Sequence, residues 1–284
     1  MPIEPYICFN GDFVKEKQTV LTCQNRAFRY GDALFETIRV SSKKIFLFDD
    51  HLKRLTKSMG FLKMNIPSSF NKEDLSKQII KLLNTNRLFQ GARLRLTVFR
   101  ADGGFYTPVT NNISYIIEAE KLENEKYILN KKGLIIEIYD EFKKPVNALS
   151  NFKTTNAFPY ILAGIYKKEN GFDDCILLNQ NNNIIEAISS NIFLVKGKSI
   201  YTPSIDDGCV AGVMRNKIID IAIDLKYIVF EDASLRITDL LNADEVFLTN
   251  AINGVKWAIA FRTKRYYNTV SKQLIAELNN KLSV

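Results

Sequence analysis

The stretch Ser150-Asn151-Phe152-Lys153-Thr154-Thr155-Asn156 sets one lysine ahead of an apolar, helix-like run from Phe158 to Tyr166. Two further stretches follow it. Glu186-Ala187-Ile188-Ser189-Ser190-Asn191-Ile192-Phe193 places a carboxylate at the end of a predicted strand. Gly212-Val213-Met214-Arg215 opens a helix with apolar Ile218, Ile219, Ile221, Ala222 and Leu225. Each feature alone is common: a lone lysine or glutamate is ordinarily a solvated charge, and Gly-x-x-Arg opens many helices.

One chemistry uses all three. An amine forms a Schiff base with an aldehyde cofactor, a carboxylate meets its ring nitrogen, and a helix N-terminus takes its phosphate. In this ordered set, from Gly31-Asp32 to the final helix, the chain resembles the fold-type IV pyridoxal-phosphate enzymes. That family includes branched-chain and D-amino-acid aminotransferases and aminodeoxychorismate lyases. The resemblance implies an α/β (α+β) fold with a small N-terminal domain, a larger C-terminal domain and pyridoxal 5'-phosphate in the cleft between them. It also implies a homodimer.

The resemblance assigns roles residue by residue. Lys153 is the covalent anchor and, once displaced, the acid–base; burial away from other anions would lower its pKa and free its amine. Glu186 meets the pyridine nitrogen and keeps it protonated, which strengthens the ring as an electron sink. Arg54, in His51-Leu52-Lys53-Arg54-Leu55, reaches the phosphate. Val210 packs on the ring, and the backbone amides of Val213 and Met214 hold the phosphate; the family commonly has Ile-Thr there, and Met214 has no hydroxyl to add. Thr249, Asn250 and Ala251 form the last cofactor loop. Where the aminotransferases carry a phosphate-binding threonine this chain has Ala251, and the pair Asn250-Ala251 looks like the lyases. Tyr30 and Phe35 match substrate-lining positions that fit an apolar side chain. Arg100 matches a carboxylate-binding position, by bidentate pairing, and Phe105 stands where lyase relatives carry an arginine.

Bulk properties bound the rest. The 284 residues suffice for two modest domains, read as 1–118, a linker at 119–122 and 123–284. Hydrophobic content of 46% with 25% charged residues is that of a globular protein. No run is long enough for a membrane span, Met1-Pro2-Ile3-Glu4 lacks a signal-peptide pattern, and a cytoplasmic location is expected. The net charge of +8 permits nucleic-acid binding. However, the lysines are dispersed, as in Lys43-Lys44, Lys131-Lys132 and Lys167-Lys168, and form no stripe with aromatics. The cysteines Cys8, Cys23, Cys175 and Cys209 lack metal-ligand spacing and read as buried thiols. The single histidine, His51, excludes a multi-histidine metal site and reads as structural.

The local reading predicts a hairpin over Tyr6–Phe9 and Phe13-Val14, a loop over Asn25–Gly31 and a strand Ala33–Val40. A helix capped by Asp49 or Asp50 should end at Gly60, and Asn71 should cap the next. Strands are predicted over 92–100, 113–119 and 134–139, the last followed by a loop from Asp140 to Ser150 that delivers Lys153. Trp257 reads as packing, and the final helix runs from Thr269 to Leu282.

Three functions result. The leading one is a class IV aminotransferase that moves an amino group between an amino acid and a 2-keto acid. The alternative is a 4-amino-4-deoxychorismate lyase releasing pyruvate and 4-aminobenzoate. The remote one is a non-catalytic basic binding protein.

Overall fold

The computed structural model describes residues 4–282; the Met1–Ile3 part of the N-terminal reading lies outside them. The chain divides into two compact units. One takes the chain through Glu125 together with Phe152–Asn156, and the other takes Lys126–Asn151 and the chain from Ala157 onward. The lysine stretch is thus a five-residue return of the chain to the first unit.

The first unit opens on the predicted hairpin, β1 (Tyr6–Phe9) and β2 (Asp12–Lys15). The segment expected as a loop forms a short helix, α1 (Arg26–Tyr30), because the Asn25 side chain accepts the Ala27 and Phe28 amides and Gly31 ends it at φ 64°. Next come β3 (Ala33–Ser41), β4 (Lys44–Ile45), α2 (Phe48–Phe61), α3 (Lys72–Thr85), β5 (Gly91–Arg100) and β6 (Ile113–Lys121). Leu47, held at φ 52°, is the N-cap of α2, so Asp49 and Asp50 supply first-turn charge and not the cap. Gly60 lies within the helix. Asn71 caps α3 as read, accepting from the Asp74 amide at 2.9 Å. Strand β6 continues through Lys121, into the stretch read as a linker. The sheet order is β2-β1-β6-β5-β3-β4. Its inward residues, among them Leu34, Ile38, Leu94, Leu96 and Ile117, pack with Leu55, Met59, Leu75 and Ile79 of the two long helices. Period-2 and period-3.6 apolar patterns meet in this core.

The second unit carries the larger sheet. Strand β7 (Leu134–Lys144) extends five residues past its predicted end at Tyr139, with a register irregularity between Tyr139 and Lys144. Helix α4 (Phe158–Asn170), β8 (Asp174–Asn179), β9 (Ile184–Ala187), β10 (Asn191–Lys196) and β11 (Ser199–Pro203) follow. Then come α5 (Val213–Asp224), β12 (Ile228–Ala233), α6 (Ile237–Asn242), β13 (Glu245–Asn250), β14 (Gly254–Phe261), β15 (Lys264–Arg265) and α7 (Thr269–Leu282). The order is β12-β11-β10-β13-β14-β7-β8-β9, with β15 on β14. Glu245 of β13 accepts the Val270 amide at 2.9 Å and the Ser271 amide at 3.2 Å, which anchors the α7 N-terminus on the sheet. Trp257 is buried packing, and its indole donates to the Asn130 carbonyl at 2.8 Å.

Cys8, Cys175 and Cys209 are buried thiols as expected, whereas Cys23 is exposed because its segment lies outside any strand. Burial pushes the Cys175 and Cys209 thiols up to about 12. No helix among the described residues is long and apolar enough to cross a membrane.

Candidate active site

In the first unit the segment Phe152–Asn156 lies along β3 as a short added strand. The Phe35 amide donates to the Lys153 carbonyl at 2.9 Å and the Thr155 amide to the Ala33 carbonyl at 3.1 Å. These two bonds fix the backbone on either side of Thr154, which bridges to Leu34. Gly31 leaves room for the turn: a Cβ there would stand 2.6 Å from the Asn156 Oδ1 at a positive φ.

The Lys153 ammonium sits 4.4 Å from the Phe35 ring centroid, and the Arg95 guanidinium carbon 3.9 Å from the same centroid. Two cations therefore share one aromatic platform on the outer face of β3 and β5. Arg95 was not singled out in the sequence. Its alternation with Arg93 and Thr97 marked only a polar face, and nothing local distinguished it from them. Tyr30 is half-buried and lies 5.5 Å from Tyr106, ring to ring, with the Arg26 guanidinium 5.0 Å over it.

Arg100 is placed differently from the expectation of a substrate clamp. It is buried, and it donates from Nε to Asp32 at 2.9 Å, from Nη1 to Asn111 at 2.5 Å and from Nη2 to the Leu62 carbonyl at 2.8 Å. Asp32 also accepts from Arg26 Nε at 2.9 Å. The guanidinium that a strand-end reading offered to a ligand is engaged in tying together segments distant in sequence. Phe105 is exposed, and its carbonyl accepts from Arg26 at 2.6 Å.

Arg54 is bound to a buried carboxylate. Glu36 of β3 accepts from Arg54 Nε at 2.8 Å and from His51 Nδ1 at 2.7 Å. Burial alone would raise the Glu36 pKa; the Arg54 charge and the hydrogen bonds from His51 and Arg54 outweigh it and hold the group at about 2. His51 is structural, as read, through this bond.

In the second unit Glu186 is 3% exposed. Its Oε1 accepts from Lys144 Nζ at 2.6 Å and from the Tyr160 hydroxyl at 2.8 Å, and its Oε2 accepts from the Val210 amide at 2.9 Å. Burial first, then the Glu186 charge, pushes the Tyr160 hydroxyl well above its usual range, so Tyr160 stays a donor. Lys144 and Tyr160 were missed in the sequence: Lys143-Lys144-Pro145 reads as solvated charge, and Tyr160 as one apolar helix residue among several.

Helix α5 begins at Gly212 with no side chain capping its first amides, those of Val213 and Met214. A Cβ on Gly212 would lie 1.9 Å from the Asn191 Oδ1. Asn191 pairs with Thr249 across β10 and β13 and donates to the Val210 carbonyl at 2.9 Å. The Thr249 hydroxyl is buried without a hydrogen-bond partner among the described residues. Arg215 is fully buried and donates to the Pro203 and Glu231 carbonyls at 3.1 and 2.7 Å, which pins the start of α5 to β11 and β12. Asn250 accepts the Ile252 and Asn253 amides at 3.1 and 2.8 Å, shaping the turn that contains Ala251. Uncapped amides and an orphaned hydroxyl suit a phosphate, and the carboxylate at Val210 suits a ring nitrogen.

Residues 33–256 match the family model described as amino-transferase class IV. The chain belongs to this family. It is 31% identical over 253 residues to an aminodeoxychorismate lyase of Bacillus subtilis, covering 87% of this chain and 83% of the relative. It is 29% identical over 244 residues to a putative branched-chain-amino-acid aminotransferase of Methanocaldococcus jannaschii, covering 86% and 83%. The fold matches the branched-chain aminotransferase of Thermoproteus uzoniensis, solved with norvaline, at a TM-score of 0.86 and 22% identity, over 97% of this chain and 94% of that one. The protein is an enzyme of this family, and its reaction is one of two: class IV transamination or aminodeoxychorismate lysis.

Glu36 gives the first unit a defined acid lability. Its folded pKa lies below the ordinary carboxylate value, so its stabilisation is complete above pH 4.5 and is lost as the pH falls from 4.5 towards about 2. The full contribution is on the order of 3 kcal/mol. A Glu36→Gln variant should lose stability at pH 7, and its urea midpoint should fall less than that of the wild type between pH 5 and pH 3.

Proposed function

We propose that the chain is an aminotransferase using pyridoxal 5'-phosphate, with Lys153 as the residue that carries the cofactor aldehyde. When bound, the cofactor supplies an electron sink for the bond to the α-hydrogen of an amino acid. The chain's own residues do the rest. Lys153 Nζ would take and return the proton at the substrate α carbon. Glu186 accepts the ring N–H, the α5 amides of Val213 and Met214 and the Thr249 hydroxyl take the phosphate, and Arg54 adds positive charge to it. Val210, Asn250 and Ala251 shape the surrounding loops.

The observation that carries the reading is the platform of Phe35, with Lys153 and Arg95 on one ring. A guanidinium on the ring that the reactive amine also meets suits the single carboxylate of an α-amino acid, and the aromatic lining with Tyr30 suits an apolar side chain. The lyase substrate carries two carboxylates. Arg100, engaged by Asp32, Asn111 and Leu62, offers no second clamp, and Phe105 offers no charge. The lyase is kept as a second reading on one specific ground, the Asn250-Ala251 pair together with the 31% identical Bacillus subtilis lyase.

The partners in this reading are an amino acid, a 2-keto acid and a second copy of the chain. Helix α4 exposes Phe158, Ile161, Leu162 and Ile165 on one stripe, with Phe158 at 74% and Ile161 at 54%. Such a face is stable in water when another surface covers it. The cytoplasm suits the free thiol of Cys23.

Holo-protein given a branched-chain or aromatic amino acid and 2-oxoglutarate should form the new keto acid, and aminodeoxychorismate alone should yield no pyruvate. Sustained pyruvate release without a keto acid would replace transamination by lysis. Ile165→Glu, on the exposed stripe, should convert a sedimenting dimer to a monomer; an unchanged sedimentation coefficient would place the contact elsewhere.

A further inference from the structure

Lys144 is a second buried lysine in the same chain, and its surroundings are complete. It is 8% exposed at the end of β7. Its Nζ has three N–H groups and three acceptors: Glu186 Oε1 at 2.6 Å, the Ser150 carbonyl at 2.9 Å and the Tyr160 hydroxyl at 3.0 Å. The Tyr160 hydroxyl accepts from Lys144 and donates to Glu186 at 2.8 Å, so lysine, tyrosine and glutamate close a ring of hydrogen bonds. The backbone is arranged for this. The register irregularity after Tyr139 returns Lys144 to pairing with Asn179 of β8.

We propose that Lys144 is the positioning residue for Glu186: it orients the carboxylate so that one lone pair of Oε2 stays available to a ring N–H. This rests on the reading of Glu186 as the partner of the cofactor nitrogen. A carboxylate offers about four acceptor directions. Lys144 and Tyr160 take the two on Oε1, and the Val210 amide takes one on Oε2. The direction left is the one a protonated ring nitrogen uses. Remove the ammonium and Glu186 is a buried anion with no counter-charge, held by one hydroxyl and one amide. Its terminal torsion is soft, so its orientation would then be set by the ligand and not by the protein.

The same ammonium reaches the Ser150 carbonyl, one residue before Asn151 hands the chain to Phe152. Asn151 itself donates to the Ile205 and Cys209 carbonyls at 2.7 and 2.8 Å. Lys144 therefore ties the ring-nitrogen carboxylate to the loop that leads into the Lys153 segment.

The test uses the full chain with and without pyridoxal phosphate. In Lys144→Met, amide exchange at Val210, read by NMR, should rise about tenfold or more, while amides in β10 and β13 keep their protection. The variant should bind pyridoxal phosphate about tenfold more weakly, with a displaced visible band, and Lys144→Arg should restore both. Val210 exchange, affinity and visible band all within twofold of wild type in Lys144→Met would overturn the proposal. A second measurement needs no substitution: in the wild-type chain a scalar coupling across the hydrogen bond should link the Lys144 15Nζ to the Glu186 carboxyl carbon. Its absence would overturn the proposal even if Lys144→Met fails to fold. Failure of the cofactor reading looks different, since wild-type protein would then show no visible band with pyridoxal phosphate while the coupling and the Val210 exchange still report on the pair.

Discussion

Burying a carboxylate costs on the order of several kcal/mol unless a cation and hydrogen bonds meet it, and each unit of this chain sets a buried sheet carboxylate against a cation. In the first it is Glu36, met by Arg54 and His51 of α2. In the second it is Glu186, met by Lys144, Tyr160 and the Val210 amide. Each group of partners brings an element against the sheet at a fixed place: α2 across β3, and the end of β7 with α4 and the start of the α5 loop around β9. The charges set local geometry, and the apolar cores behind them supply most of the burial energy.

The lysine stretch obeys a different constraint. Backbone hydrogen bonds carry Lys153 alongside β3, and Phe152, edge-on to Phe61 at 5.1 Å between ring centroids, packs the same segment onto the core. The register of those bonds places the amine 4.4 Å from the centroid of Phe35, the ring that the Arg95 guanidinium also meets. The ring quadrupole attracts each cation.

Much of this was legible in the sequence where the signal was local. The strands read over Ala33–Val40, 92–100 and 113–119 gave β3, β5 and β6, the Asn71 cap gave α3, and the apolar run after Gly212 gave α5. Lys153, Glu186 and the α5 amides are singled out because three weak motifs occur in one order, the order of the family that the chain belongs to. The rest depended on partners far along the chain. Arg100 reads as a strand-end arginine, yet its role is decided by Asp32, 68 residues away. Lys144 reads as loop charge beside Pro145 because nothing nearby reveals Glu186, 42 residues on. Asn25–Gly31 reads as a loop because five residues show too little periodicity to announce a helix, although its asparagine cap and terminal glycine were both in view. Leu47 opens α2 from a left-handed backbone that no propensity for leucine anticipates.

The function proposed for this chain depends on which of two lysines carries the aldehyde. Lys153 stands on the Phe35 platform, and Lys144 has all three of its N–H groups engaged by Glu186, Ser150 and Tyr160. Borohydride reduction of the pyridoxal-phosphate-loaded protein, followed by peptide mass mapping, separates them. The account predicts the phosphopyridoxyl label on Lys153 and none on Lys144; label on Lys144 would contradict it.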